Sequence, residues 1–193
     1  MKIFRAVVPL AFAATLLAGC GGATGSAPTT APTAVPTPES AVISERSIPD
    51  QGAGLHTRSL MEAHPDYNSN PPTSGWHYGG GWLQAQVYDQ AQPDELMVHS
   101  LEHGMVVIHY REGLEPATVT KLAELTGKLN QQSECAVLVP RPAARLNVPI
   151  AVTAWANLLE LRAYDEQAIT SFFVKHVGQA PEKICRPLAA PNS

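Results

Sequence analysis

The sequence is short of charge, of cysteine and of long apolar runs. Charged residues make up 16% of its 193 residues, against about a quarter in ordinary soluble proteins. Its 13 lysines and arginines form no cluster, and the net charge is −4. A nucleic-acid-binding protein carries a basic patch or stripe, so we expect no nucleic-acid partner. The one dense apolar run, Ala6 to Leu17, is too short to span a membrane as a helix.

This apolar run has the layout of a secretory signal. Lys2 and Arg5 form a short cationic region before it, and the run leads into Leu-Ala-Gly followed by Cys20. That ending resembles the lipobox of bacterial lipoproteins, and the resemblance implies cleavage before Cys20 and attachment of a diacylglycerol to its thiol. A plain secretory signal with an incidental cysteine is the alternative. The lipobox predicts a lipid-anchored protein of the cell envelope, facing the periplasm or the cell surface.

Composition divides the chain into three regions. Residues 1–19 are the predicted signal peptide, residues 20–41 a tether rich in Pro, Thr and Ala, and residues 42–193 a single domain. The tether has too little apolar surface to offset the entropy of ordering it, so we expect it to be flexible.

Two cysteines remain for the domain itself, Cys135 and Cys185. In an oxidising compartment such an even pair predicts a disulfide. Two buried free thiols, or a thiolate metal ligand, are the alternatives.

Hydrophobic periodicity predicts an α+β domain with a mostly antiparallel sheet and two main helices. Strands are expected at residues 83–88, 105–110, 136–139, 150–155 and 158–164. One helix is expected over residues 115–131, with Leu122, Leu125 and Leu129 on one face. The second is expected to begin at an Asp165 cap and to run through His176.

Most of the seven histidines precede Tyr110, in two distinctive segments. Residues 64–82 lack periodicity but are rich in Pro, Gly and aromatic residues, which predicts an ordered loop that presents His77. In the second segment, residues 97–105, His99 and His103 share one face of a helical turn and also one face of an extended strand. Their imidazoles therefore converge in either conformation, and Glu102 lies beside them.

Three imidazoles and a carboxylate match the ligand sets of zinc, copper and iron sites. We expect one transition metal ion, copper first and zinc second, because imidazole-rich sites outside the cytoplasm suit copper. The expected ligands are His77, His99 and His103, with Glu102 as a ligand or an orienting partner and His64 as a fourth candidate.

The thioethers of Met97 and Met105 lie next to this segment and are additional candidate ligands for copper. A place in the hydrophobic core is the alternative for each of them. His56, His109 and His176 carry no ligand signal in the sequence. A metal site of this kind predicts a role in metal handling or in support of a membrane redox complex, with a membrane protein or a metal donor as partner.

Two other functions fit the same residues. The run from His99 to His103 matches the H-x-x-E-H pattern of the inverted zinc peptidases, although Gly104 and a β-branched run end any helix immediately. One alternative is therefore a metal-dependent hydrolase that uses Glu102 as its base. The other is a non-catalytic module in which the aromatic loop docks a partner. The sequence by itself assigns no enzymatic activity.

Two motifs resemble those of a bacterial family catalogued as domain of unknown function 3105. They are YNSNPPTSGWH, which ends at His77, and VHSLEHGMVVIHY, which ends at Tyr110. The family also carries a TAW segment and a C-terminal Pro-Glu, present here at residues 153–155 and 181–182. The resemblance implies a secreted or membrane-anchored protein. The motifs contain His77, His99, Glu102 and His103, do not require either methionine, and imply no activity.

Overall fold

A computed structural model of the protein describes residues 40–188. The predicted signal peptide, Cys20 and the tether up to residue 39 lie outside these residues. The described chain falls within one compact unit. None of the helices within residues 40–188 has both the length and the apolar character needed to cross a membrane.

The domain is of the α+β class, as the periodicity predicts, and residues 40–188 contain a third, shorter α-helix besides the two main helices. The strands are β1 (Val42–Ser47), β2 (His56–Thr57), β3 (His77–Tyr78), β4 (Val106–Arg111), β5 (Ala136–Arg141), β6 (Ile150–Ala154) and β7 (Asn157–Leu161). The helices are α1 (Asp94–Glu102), α2 (Pro116–Ser133) and α3 (Glu166–His176).

Five strands form the main sheet in the order β1-β7-β6-β4-β5. Every neighbouring pair is antiparallel except β4 and β5. These two strands can be parallel because α2, which lies between them in the chain, returns the chain to the end of the sheet at which β4 begins. The residues of β5 and β6 are all buried, which explains why their sequences read as continuous apolar runs rather than as alternating patterns.

The two predicted helices are confirmed. Helix α2 begins with Pro116 in its first turn and buries Leu122, Leu125 and Leu129, because their spacing places them on one face. The Asp165 carboxylate caps α3 and accepts a hydrogen bond from the Ala168 N–H at 2.9 Å.

The predicted strand at residues 83–88 is wrong. This segment makes a single parallel bridge, between Val87 and Leu138 on the outer side of β5. Its first backbone N–H, that of Leu83, donates instead to the Ser100 hydroxyl of α1 at 2.9 Å. The alternating pattern therefore reflects a chain that crosses from α1 to the edge of the sheet. Strand β1 and the full length of α1 were also absent from the prediction.

Strand β5 extends past the predicted stop at Val139, through Pro140 to Arg141. Proline has no N–H to donate, so it is tolerated in strands at the edge of a sheet. Strand β5 is such an edge strand.

His109 is buried in β4, as expected of a histidine that packs within the domain. Its Nε2 lies 3.0 Å from the Thr153 hydroxyl, while its Nδ1 has no hydrogen-bond partner among residues 40–188. Burial, and then the nearby Arg141 guanidinium, hold the pKa of His109 well below its ordinary value. The folded protein therefore favours neutral His109.

The burial of His109 predicts that the protein becomes less stable as the pH is lowered. Below about pH 6.5 the unfolded chain protonates His109 and the folded chain does not, so acid favours unfolding by up to about 1.4 kcal/mol per pH unit. We expect His109→Gln in metal-free protein to show a shallower loss of unfolding free energy between pH 7 and pH 5 than the wild type. Urea denaturation at a series of pH values measures both slopes, and equal slopes would contradict the prediction.

Candidate metal site

Three imidazoles and one carboxylate converge at one end of α1. They belong to His56, His77, His99 and Glu102, and one nitrogen or oxygen atom from each lies within 4.8 Å of all the others. A tetrahedral ion with bonds of 2.0–2.1 Å places its ligand atoms about 3.4 Å apart. The cluster, hereafter the His₃Glu cluster, can therefore hold a metal ion.

Backbone pairing brings two of the histidines together. Strands β2 and β3 form a two-stranded parallel pair in which His56 lies opposite His77. The His77 N–H donates to the Leu55 carbonyl at 2.9 Å. Residues paired across strands project to the same face, so the two rings lie edge to face with centroids 4.8 Å apart.

Helix α1 supplies the other two members. His99 and Glu102 are three residues apart in the helix and so share a face. The His99 ring lies 4.9 Å from that of His77 between centroids. The long loop before α1 thus places His77 beside the two side chains, His99 and Glu102, that the helix presents.

Backbone carbonyls fix which nitrogen of each buried ring carries the proton. The Nδ1 of His77 lies 2.8 Å from the Gly75 carbonyl oxygen. The Nδ1 of His99 lies 2.8 Å from the Tyr78 carbonyl oxygen and 2.9 Å from that of Gly81. A carbonyl only accepts hydrogen bonds, so both Nδ1 atoms carry a proton, and Nε2 is the atom of each ring that can bind a metal. Such carbonyl contacts are the usual orienting partners of metal-binding histidines.

The closest contact in the cluster joins two hydrogen-bond acceptors. The Nε2 of His77 lies 2.8 Å from Oε2 of Glu102, and both side chains are almost fully buried. Neither atom has a hydrogen-bond partner among the described residues. The other carboxylate oxygen, Oε1, accepts from the Gly54 N–H. Two buried acceptor atoms this close repel each other unless a proton or a metal cation lies between them.

Burial favours the neutral form of the His77 ring. It lowers the pKa of His77, and the Gly75 hydrogen bond and the Glu102 charge oppose that shift without cancelling it. Neutral imidazole is the form that binds metals. His77 is therefore held in its ligand form.

The cluster reaches solvent through His56, whose side chain is 47% exposed. Its Nε2 lies 3.9 Å from Oε2 of Glu102. The ring packs against the backbone at Gly79, where a Cβ atom would lie 3.0 Å from Cγ of His56. The glycine run that follows β3 thus leaves room for this ring.

His103, a predicted ligand, lies beside the His₃Glu cluster rather than within it. Its ring centroid is 4.5 Å from that of His99 and 4.4 Å from that of Trp82. Its Nε2 lies 3.0 Å from a carboxylate oxygen of Glu182. Burial and the neighbouring His99 lower its pKa. The contact with Glu182 therefore keeps Nε2 of His103 outside the His₃Glu cluster, although its ring packs against that of His99.

The remaining candidates lie elsewhere. The Nε2 of His64 is 3.8 Å from Glu95 in the first turn of α1. Met97 and Met105 are buried in the main hydrophobic core. Cys135 and Cys185 form the predicted disulfide.

His56 is the member of the cluster that the sequence did not reveal. It joins through a strand of two residues, which is too short to leave a periodic pattern. The parallel pairing joins segments 21 residues apart in the chain.

The close pair of acceptor atoms predicts an unusual effect of substitution at Glu102. In Glu102→Gln the amide oxygen keeps the Gly54 contact, while the new NH₂ group donates to Nε2 of His77. We expect the unfolding free energy of the metal-free protein to rise by about 1 kcal/mol. Urea denaturation in the presence of a chelator measures it.

Glu95→Gln is the matched control for this prediction. Glu95 is a second buried carboxylate of α1, and its Oε1 accepts from the Met61 N–H at 3.3 Å. No stabilisation is expected there. A destabilised Glu102→Gln protein would show that His77 and Glu102 do not oppose each other as acceptors.

Comparison with known proteins places this site in a family. The model of a family described as "Protein of unknown function (DUF3105)" matches residues 59–187, which is more than half of the chain. Searches of curated proteins and of solved structures gave no match. The matched residues include His77, His99 and Glu102, whereas His56 lies just before them. The chain therefore belongs to the DUF3105 family.

Proposed function

We propose that this protein is a lipid-anchored, extracytoplasmic metal-binding protein that holds one transition metal ion at the His₃Glu cluster. The observation that carries the proposal is the contact between Nε2 of His77 and Oε2 of Glu102. These two buried acceptors are 2.8 Å apart and have no hydrogen-bond partner within residues 40–188. A divalent cation bound between them satisfies both lone pairs and balances the carboxylate charge.

The donor set favours Cu²⁺ first and Zn²⁺ second. Its atoms are imidazole nitrogens and a carboxylate oxygen. Both metals accept such ligands, and on a given nitrogen and oxygen site Cu²⁺ binds more tightly than the other first-row divalent ions. The thioethers of Met97 and Met105 lie in the core, so the proposal rests on imidazole rather than on sulfur.

The location and the role follow from features around the cluster. A disulfide within the domain is compatible with an oxidising compartment, and lipidation at Cys20 would hold the protein at the membrane. One half-exposed ligand, His56, gives a donor or acceptor protein a point of access. Metal handling, or support of a membrane redox complex, is the role that these features favour.

A hydrolase that uses Glu102 as its base receives less support. Oε1 of Glu102 accepts the Gly54 N–H and Oε2 faces His77. A carboxylate that is almost fully buried, with one oxygen hydrogen-bonded and the other against the His77 ring, suits a ligand better than a base that must reach a water molecule.

The proposal predicts one equivalent of metal per chain. Protein purified without a histidine tag should retain copper or zinc, and metal-free protein should bind one Cu²⁺ with an electron paramagnetic spectrum that shows nitrogen hyperfine coupling. We expect His99→Ala to weaken binding by more than the roughly 10–100-fold that the loss of an outer partner costs. Competition with a chromophoric chelator measures the affinity.

His176→Ala is the control, because His176 packs against Phe172 of α3. It should bind metal as the wild type does. His103→Ala shows whether the neighbouring ring contributes a bond. Failure of the wild type to bind one equivalent, or full binding by His99→Ala, would refute the proposal.

The glycine run gives a more local prediction. A methyl group at Gly79 would crowd the ring of His56, whereas one at Gly127, in α2, would have nothing within 4 Å. We expect Gly79→Ala to lower the metal affinity by about 10-fold, as for loss of an orienting contact, and Gly127→Ala to leave it unchanged. Equal affinities in the two variants would show that His56 adds nothing to binding.

A further inference from the structure

Building on the proposed metal site, we propose that the Cys135–Cys185 disulfide controls metal retention. The bond holds residues 178–185, hereafter the clamp, against the end of α1 that carries the His₃Glu cluster. Reduction of the bond by a dithiol would release the clamp and lower the affinity for metal.

The clamp supplies the hydrogen bonds that the end of α1 lacks. The last carbonyls of a helix have no partners inside it. Here the Glu102 carbonyl accepts from the Glu182 N–H at 3.0 Å, and the His103 carbonyl accepts from the Cys185 N–H at 2.9 Å. The clamp thus bonds directly to the backbone of a member of the cluster.

Side chains and close backbone contact reinforce this junction. The Glu182 carboxylate lies 3.0 Å from Nε2 of His103. The Gly178 N–H donates to the Gly104 carbonyl at 2.8 Å. A Cβ atom on Gly104 would come 2.8 Å from Cα of Gly178, so the clamp and the helix end touch without intervening side chains.

The disulfide anchors the clamp at its far end. Cys135 immediately precedes β5, and its carbonyl accepts from the Val106 N–H of β4 at 2.9 Å. The cysteine therefore belongs to the rigid sheet. Residues 181–188 form no helix or strand, and Ile184 within the clamp is 58% exposed. The covalent bond is thus the firmest link between the clamp and the sheet.

The disulfide borders two cavities, although each of its cysteines is only 5% exposed. Both cysteines line a cavity of about 680 Å³, whose wall also includes Trp82 and His103. Both also line a second cavity, of about 400 Å³, with Ser133 and Pro187. A small dithiol fits in spaces of this size.

The reduction itself is ordinary thiol–disulfide exchange. A thiolate of the dithiol attacks one sulfur of the Cys135–Cys185 bond, that bond breaks, and the other cysteine leaves as a thiolate that takes up a proton. The second thiol of the reductant then attacks the mixed disulfide and releases the first cysteine. Two electrons pass to the protein, which ends with two thiols, and the dithiol becomes a disulfide.

The test compares metal affinity with the bond intact and broken. Dithiothreitol reduces the folded protein, iodoacetamide blocks the freed thiols, and both reagents are removed before Cu²⁺ or Zn²⁺ is titrated against a competing chelator. We expect an affinity at least about 10-fold lower than that of the oxidised protein, as for loss of an orienting partner. Amide hydrogen exchange at Glu182 and Cys185 should accelerate as well.

A second variant loosens the clamp while the disulfide stays intact. Gly178 has a φ of +70°, and a Cβ there would lie 2.5 Å from the Pro187 nitrogen. Gly178→Ala should therefore displace the clamp and lower metal affinity. Gly113→Ala is the matched control, because Gly113 has a φ of +84° and nothing within 4 Å of its added Cβ. It carries the same kind of backbone strain away from the site.

The outcomes separate this inference from the proposed function. If alkylated protein keeps its fold and its metal affinity, redox control is overturned while the metal site stands. If alkylated protein unfolds, the glycine pair decides: lower affinity in Gly178→Ala than in Gly113→Ala supports the clamp, and equal affinity overturns it. If the oxidised wild type binds no metal, the proposed function itself fails.

Discussion

The rest of the site depends on two buried acceptor atoms that lie 2.8 Å apart. They belong to Nε2 of His77 and Oε2 of Glu102. The Gly75 carbonyl holds the only proton of the neutral ring on the opposite nitrogen. An interior of this kind is expensive for a protein that binds nothing there, because unpaired buried polar groups cost about 1–3 kcal/mol each. A metal cation bonded to both atoms removes this cost, and its bonds to them contribute to the binding free energy.

The surrounding structure keeps these atoms in place. A short parallel strand pair sets His77 beside His56. Carbonyl oxygens from the loop after β3 orient His99. The C-terminal segment then holds the end of α1 through backbone hydrogen bonds and a disulfide. Ligands fixed in this way lose little freedom when a metal binds, which raises affinity without adding contacts.

The scaffold could be predicted from the sequence where periodicity and caps agree. Helix α3 shows both, with the Asp165 cap and buried Ile169, Phe172 and Phe173. The alternating pattern at residues 83–88 led to a wrong strand prediction, because alternation also arises when a chain crosses the buried edge of a sheet. Side-chain spacing in the chain cannot distinguish that case from a strand.

The site was only partly predictable for a related reason. The spacing of His99 and Glu102, and the rigid loop that contains His77, made these three residues predictable. His56 could not be found, because a two-residue strand brings it into place from a distant part of the sequence. Spacing predicted that the His99 and His103 rings converge, and their centroids do lie 4.5 Å apart, but Nε2 of His103 lies against Glu182 rather than in the cluster.

X-ray absorption spectroscopy of the metal-loaded protein tests this assignment most directly, because it reports the atoms bonded to the ion. Three imidazoles and a carboxylate predict a first shell of nitrogen and oxygen at about 2.0–2.2 Å, with the multiple scattering that imidazole rings produce. The Glu102→Gln protein should lose part of that shell. A first shell containing sulfur at about 2.3 Å, or one without imidazole scattering, would contradict a metal bound by the His₃Glu cluster.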